Sequence, residues 1–165
     1  MGSEMCIRDR ASDADNPQAF INNLYDWVLF SIVVGNADAH AKNISFFVGP
    51  NGIRPAPWYD LLSVVLVPDV SRQLAMSVSD EFEWDQLHAL QLLELADEIG
   101  RPRSWAQRRL ERLLDHLAKA LPQAAAAVIP QNAEESDFQQ TWMKFIDERI
   151  QYWRNEASLM PKIKI

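Results

Sequence analysis

The run from Pro17 to Val34 limits the possible folds of this chain more than any other segment. Phe20, Leu24, Trp27, Val28 and Ser31 recur there at the spacing of one helix face. Asn16 offers a cap and Pro17 a first helical position, so the pattern predicts a buried helix over about Pro17 to Val34. Gly35 is placed to end that helix in a left-handed conformation. The longest apolar stretch, Trp27 to Val34, falls far short of the roughly 20 residues a membrane helix needs. A buried helix requires a core around it, and 165 residues with 48% hydrophobic and 24% charged side chains can supply one ordinary domain.

Charge narrows the function classes. A net charge of -7 and a pI near 4.9 disfavour direct binding of nucleic acid, which draws its affinity from clustered Lys and Arg. The single cysteine, Cys6, can form neither an internal disulfide nor a structural zinc site, in keeping with a reducing compartment. No secretory signal is evident, so a soluble, cytoplasmic protein without membrane contact is expected. Residues 1–12 read as a leader foreign to the fold. Their Met5-Cys6-Ile7-Arg8-Asp9-Arg10 run resembles a translated sequencing-adaptor remnant, which implies a true start further upstream.

Beyond Gly35 the segment Asn36 to Asn43 is short and polar. Ile44 to Val48, the turn signal Gly49-Pro50-Asn51-Gly52 and Ile53 to Pro57 then predict a short β-hairpin. The second half reads as helical. Trp84, Leu87, Leu90, Leu93 and Leu95 to Ile99 form one stripe that stops at Gly100-Arg101-Pro102. Ser104 is placed to cap a second helix through Leu121 that kinks past Pro122 into Ala124 to Ala127, and a third runs from about Asp137 to Ala157. The expected fold is mainly α (α+β), one helical domain over residues 13–160 with a small hairpin near its front and a short tail at 161–165.

Chemistry concentrates between helix and hairpin. Gly35 to Asn43 packs an acid, an imidazole, an ammonium and two amides into one loop. Phosphoryl transfer needs a carboxylate to orient a hydroxyl nucleophile and oxygen ligands to hold Mg²⁺ across the phosphates. In protein kinases an Asp takes the first role, and a metal-binding Asn follows it by about five positions in the same loop. Asp38 and Asn43 have that spacing, and Asp60 stands 22 residues past Asp38, beyond the hairpin. A hairpin returns the chain to its starting edge, so Asn43 and Asp60 can flank one cation.

Asn36-Ala37-Asp38-Ala39-His40-Ala41-Lys42-Asn43, followed by Pro57-Trp58-Tyr59-Asp60-Leu61-Leu62-Ser63, resembles the C-terminal lobe of HipA-like toxin kinases. That family carries an N-x-D-x-H-x-K-N loop and a later Y-D-hydrophobic-hydrophobic-S motif. Leu74-Ala75-Met76 resembles the segment that follows. The resemblance implies the helical C-lobe of a protein-kinase-like fold and transfer of the ATP γ-phosphate to a protein serine or threonine. It implies a HipB-like, DNA-binding antitoxin as partner and aminoacyl-tRNA synthetases as the substrate class. By the same resemblance Asp38 is the catalytic Asp, while Asn43 and Asp60 hold Mg²⁺ and the nucleotide. His40 either contacts the transferred phosphate or braces the loop, and Lys42 either meets phosphate oxygens or is solvated.

The chain departs from a complete member of that family in one respect. Nothing before Asp13 supplies a glycine-rich phosphate loop or a strand lysine, and Gly2, Gly35, Gly49, Gly52 and Gly100 never cluster. The expectation is an N-terminally truncated piece that is inactive, or nearly so, by itself. Two other readings stand beside the kinase. One is a metal-dependent phosphoesterase using Asp38, His40 and Asp60, which lacks a second histidine because His88 and His116 fall in predicted helices. The other is a non-catalytic binding module that keeps the lobe's surface. Trp84, Trp105, Trp142 and Trp153 are expected as packing residues. Asp80-Glu81-Glu83 and Glu134-Glu135 are expected at solvated helix starts, and Arg101 to Arg112 as a helix salt-bridged through Glu111 rather than a basic docking face.

Overall fold

A computed structural model describes residues 10–164 of the chain. The proposed leader therefore lies mostly outside the described residues. The apolar run folds as expected: α1 spans Pro17–Val34, and Asn16 caps it by accepting the Ala19 N–H at 3.1 Å. Such a cap satisfies one of the backbone donors that every helix start leaves open. From Leu24 onward α1 is buried almost all round, which makes it the axis of the core. Tyr25 is fully buried, and its hydroxyl donates to the Leu92 carbonyl at 3.0 Å. Burial, reinforced by neighbouring Asp26, pushes that hydroxyl's pKa far above its ordinary value, so it stays a donor.

Gly35 ends α1 with φ 76° and sends its N–H back to the helix carbonyls. A Cβ at this position would collide with the Val65 side chain and press on the Phe145 ring at 3.0 Å. Glycine is required here twice over, by backbone conformation and by space.

Strands β1 (Phe46–Gly49) and β2 (Gly52–Pro55) form the expected antiparallel hairpin, with Phe46 opposite Pro55. Phe46 stacks on Phe20 with ring centroids 5.4 Å apart, which pins the hairpin to α1. Residues 13–15 run along its outer side, where Ile53 N–H donates to the Asp13 carbonyl and Asp15 N–H to the Ile53 carbonyl.

A second hairpin was not anticipated. Strands β3 (Gln73–Val78) and β4 (Glu81–Glu83) pair antiparallel across the two-residue turn Ser79-Asp80, whose φ angles are 47° and 64°. Two central residues with positive φ match the right-handed twist of the flanking strands. The expected helix start at Asp80-Glu81-Glu83 is thus corrected to a turn and a strand. The alternating Leu74, Met76 and Val78 are buried, and Glu83 is tied to the Gln73 amide at 3.1 Å.

Helix α2 (Ala89–Glu98) is shorter than the stripe suggested, because Trp84 and Leu87 precede it in and after a single 3-10 turn. Both are buried, and the Trp84 indole N–H is drawn to the Ile32 carbonyl at 2.9 Å. Helix α3 (Arg103–Ala127) begins after Pro102, so Ser104 lies inside it rather than capping it, and the helix runs on through Pro122. Helix α4 (Ala133–Leu159) is capped by Asn132 and carries Glu134 and Glu135 in its first turn, the expected place for acids.

Helices α3 and α4 pack along one another and α1 lies against both, burying Leu110, Leu114, Ile146, Ile150 and Trp153. The arginine-rich start of α3 pairs differently from expectation. Arg109 reaches α1 and grips Asp26 through both carboxylate oxygens, and Arg103 pairs with Asp97 at 3.0 Å, while Glu111 accepts from Gln107. Bidentate Arg–carboxylate geometry explains why Asp26 takes Arg109. Arg149 of α4 stacks over Trp84 at 4.2 Å and Tyr152 at 4.5 Å, and burial lowers its pKa. The tail is tied down where Arg103 donates to the Ile163 carbonyl.

Two stability changes follow. Tyr25→Phe should cost about 1 kcal/mol in urea unfolding, the net worth of one buried hydrogen bond. Gly35→Ala should cost more than about 1 kcal/mol, since it adds both backbone strain and a clash.

Candidate active site

The end of a buried helix delivers the polar loop. Asn36 and Ala37 are still buried, whereas Asp38 emerges into solvent and His40 is half-buried. The loop then tightens into a 3-10 turn over Ala41–Asn43 that buries the Asn43 side chain. Strand β3 braces the other flank, since the Ala75 N–H donates to the Ala37 carbonyl at 2.9 Å.

The hairpin does what the sequence required of it. Asn43 donates its amide to an Asp60 carboxylate oxygen, so the two expected cation-flanking residues are in direct contact. Asn36, which sequence reasoning left without a role, donates its amide to the Asp60 backbone carbonyl at 3.0 Å. Both buried amides thus converge on one exposed acid. Asp60 holds φ at 58°, a conformation that L residues other than Asn and Asp rarely adopt. Tyr59 adds a third tie: its hydroxyl donates to the Lys42 carbonyl at 2.8 Å and lies 3.1 Å from the Ser45 hydroxyl. Trp58 anchors the same segment to α1 through Asn23 at 3.1 Å. A signal for these roles existed, because Asn36 and Tyr59 are polar residues inside the two motifs.

Two polar atoms in this loop are enclosed without a partner among the described residues, namely Asn43 Oδ1 and His40 Nδ1. An enclosed carbonyl oxygen without a donor is costly unless a ligand completes it. Asn43 Oδ1 and the Asp60 carboxylate together offer hard oxygen donors of the kind Mg²⁺ takes, so the residues present fit that ion. The Asp38 carboxylate and the Lys42 ammonium have no hydrogen-bonding partner among the described residues, which leaves both available to a substrate. His88 sits at the start of α2 beside Tyr152, and His116 bonds the Arg112 carbonyl within α3, both on helices away from the loop. Among the described residues no three His, Cys, Asp or Glu side chains gather so as to hold a metal, and Asp38, His40 and Asp60 therefore do not form a phosphoesterase-type cluster.

The family model described as the HipA-like C-terminal domain matches residues 5–125, which contain both motifs. The chain belongs to this HipA-like family. It is 42% identical over 132 residues to the serine/threonine-protein kinase toxin HipA of Shewanella oneidensis, covering 78% of this chain and 30% of that protein. It is 37% identical over 105 residues to the putative kinase Y4mE of Sinorhizobium fredii, covering 64% of this chain and 25% of that protein. A solved complex of Shewanella oneidensis HipA with HipB and operator DNA superposes with a TM-score of 0.95 at 30% identity, over 100% of this chain and 38% of that one. The chain thus spans about a third or less of the length of the curated relatives it matches. The mainly helical α+β architecture with its small hairpins is that of the HipA-like C-terminal domain. No described helix is long and apolar enough to cross a membrane.

The Asp60 loop offers a direct test. Asn36→Ala should cost about 1–3 kcal/mol in chemical unfolding, because it leaves the Asp60 carbonyl without its buried donor.

Proposed function

We propose that this HipA-like domain supplies the catalytic and metal-holding loops of a serine/threonine protein kinase that uses ATP and Mg²⁺. The observation that carries the reading is the meeting of Asn43 with Asp60 beside a loop whose Asp38 is exposed and has no partner among the described residues. Kinase relatives over most of the chain support the reaction class.

In this reading Asp38 accepts a hydrogen bond from the substrate hydroxyl and orients it toward the γ-phosphorus. As the new P–O bond forms and the bond to the β-phosphate oxygen breaks, the hydroxyl proton passes to Asp38. Asn43 Oδ1 and the Asp60 carboxylate are the residues that would hold Mg²⁺, whose charge, when bound, offsets that of the phosphates. Lys42 lies exposed on the same loop and suits phosphate oxygens. His40, with its ring half-buried, braces the loop. Two buried amides and the Tyr59 hydroxyl fix Asn43, Asp60 and the Lys42 backbone before any nucleotide arrives, which is where preorganised catalysis draws its advantage.

The nucleotide requires more than this chain carries, for its five glycines form no phosphate-cradling cluster. By itself the chain should therefore transfer phosphate slowly or not at all. A HipB-like partner is proposed from the solved relative, and a protein of the aminoacyl-tRNA synthetase class as substrate from the family resemblance. The relative's complex includes operator DNA, and an acidic chain of this kind can sit in such an assembly while a HipB-like partner contacts the DNA.

The test is a chimaera in which this chain replaces the matching segment of Shewanella oneidensis HipA, assayed for transfer of labelled γ-phosphate to protein. Activity should appear, and Asp38→Asn should lower the rate by about 10²–10⁴-fold, with Asp60→Asn also impaired. An active chimaera indifferent to both substitutions contradicts the assignment.

A further inference from the structure

We propose that Trp142 is a positioning residue for the Asp60 loop, acting through the hydrogen bond its indole N–H donates to the Ser63 hydroxyl at 3.0 Å. The inference rests on the reading of Asn43 and Asp60 as the metal-holding pair.

Trp142 lies on α4, 79 residues away from Ser63 in sequence and beyond the 5–125 span of the family match. Ser63 is the last residue of the Tyr59-Asp60-Leu61-Leu62-Ser63 motif and leads directly into the 3-10 turn Val64–Leu66. Val65 in that turn is buried, and its N–H donates to the Gly35 carbonyl at 3.1 Å. Phe145, three residues along α4 from Trp142, stands against Gly35 on the same side. Residues three apart share a helix face, so one face of α4 supports both segments that bracket the candidate site. Phe145 backs the start of the Asp38 loop and Trp142 holds the end of the Asp60 loop.

Little of that loop is held by burial. Tyr59, Asp60, Leu61 and Leu62 are all exposed, and Asp60 occupies a left-handed conformation. Asn36 and Asn43 fix its middle and Tyr59 its approach, whereas its exit is held by the Ser63 hydroxyl and, two residues on, by the Val65 N–H bond to Gly35. Packing alone does not account for an indole at position 142. The side chain also borders an open cleft of about 860 Å³ formed with Ala125, Val128 and Phe138, so it is not enclosed on every side. A phenylalanine could cover the inner apolar surface. What the indole adds is one directed N–H, and that N–H is used on Ser63.

Residues behind metal ligands set ligand orientation, and their loss commonly weakens binding by about 10–100-fold. Mn²⁺ serves as the probe, with free ion counted by electron paramagnetic resonance on this chain, alongside amide hydrogen exchange. Trp142→Phe and Ser63→Ala should each weaken Mn²⁺ binding by about tenfold. The double variant should be no worse than either single one, because both remove the same bond. Exchange should quicken across residues 59–66 in both variants while α1 keeps its protection, a pattern that general loosening of the core would not give. If Asp60→Asn abolishes Mn²⁺ binding while Trp142→Phe and Ser63→Ala leave affinity and loop exchange unchanged, this inference alone is overturned. Fully additive losses overturn it as well. A chain that binds no Mn²⁺, or binding that Asp60→Asn leaves intact, overturns the metal reading and this inference with it.

Discussion

The structure depends on a junction with no spare volume. Gly35 ends the buried helix α1 with a left-handed turn, and Val65 and Phe145 fill the space where its side chain would be. The Val65 N–H then bonds the Gly35 carbonyl, so the chain leaving the Asp60 loop is attached to the chain entering the Asp38 loop. Two segments separated by a whole hairpin are thereby fixed relative to one another. The Asp38 and Asp60 loops both lie between these two points.

Within that frame, polar groups rather than packing hold the site. Asn36 and Asn43 are buried amides whose donors converge on Asp60, one on its carbonyl and one on its carboxylate. Buried amides of this kind are stable only while their partners remain, which makes the arrangement brittle and specific at once. Asp60 pays for its position with a left-handed backbone, a feature typical of functional loops that are over-determined by their surroundings. Asp38 is left exposed by the same architecture, without a partner among the described residues. A HipA-like domain so built holds the Asp60 side of the loop pair by hydrogen bonds and leaves the Asp38 side exposed.

Much of this was legible in the sequence because it was local. The cap at Asn16, the stop at Gly35 and the turn at Gly49-Pro50-Asn51-Gly52 each specify their own geometry, and the spacing from Asp38 through Asn43 to Asp60 becomes a contact once the hairpin is granted. The failures were non-local. Asp80 and Glu81 carry helix-start chemistry, yet the burial of Leu74, Met76 and Val78 on one face made that segment a hairpin. Trp84 belonged by period to α2, but its indole found the Ile32 carbonyl, 52 residues away, and stayed outside the helix. Glu111 had arginines within one helical turn and lost Arg109 to Asp26 on another helix. Asn36 stood in the motif without a partner and Trp142 was expected only to pack, since the Asp60 carbonyl and the Ser63 hydroxyl become their partners only in the folded chain.

The central claim is that Asn43 and Asp60 form the cation-holding edge of the site. Paramagnetic broadening of the ¹⁵N-resolved spectrum on titration with Mn²⁺ tests it most directly, because it reports position without requiring turnover. The account predicts that signals of Asn43 and Asp60, with those of neighbouring loop residues, broaden first. Broadening that begins instead at the acidic start of α4 around Glu134 and Glu135, with Asn43 and Asp60 untouched, would contradict it.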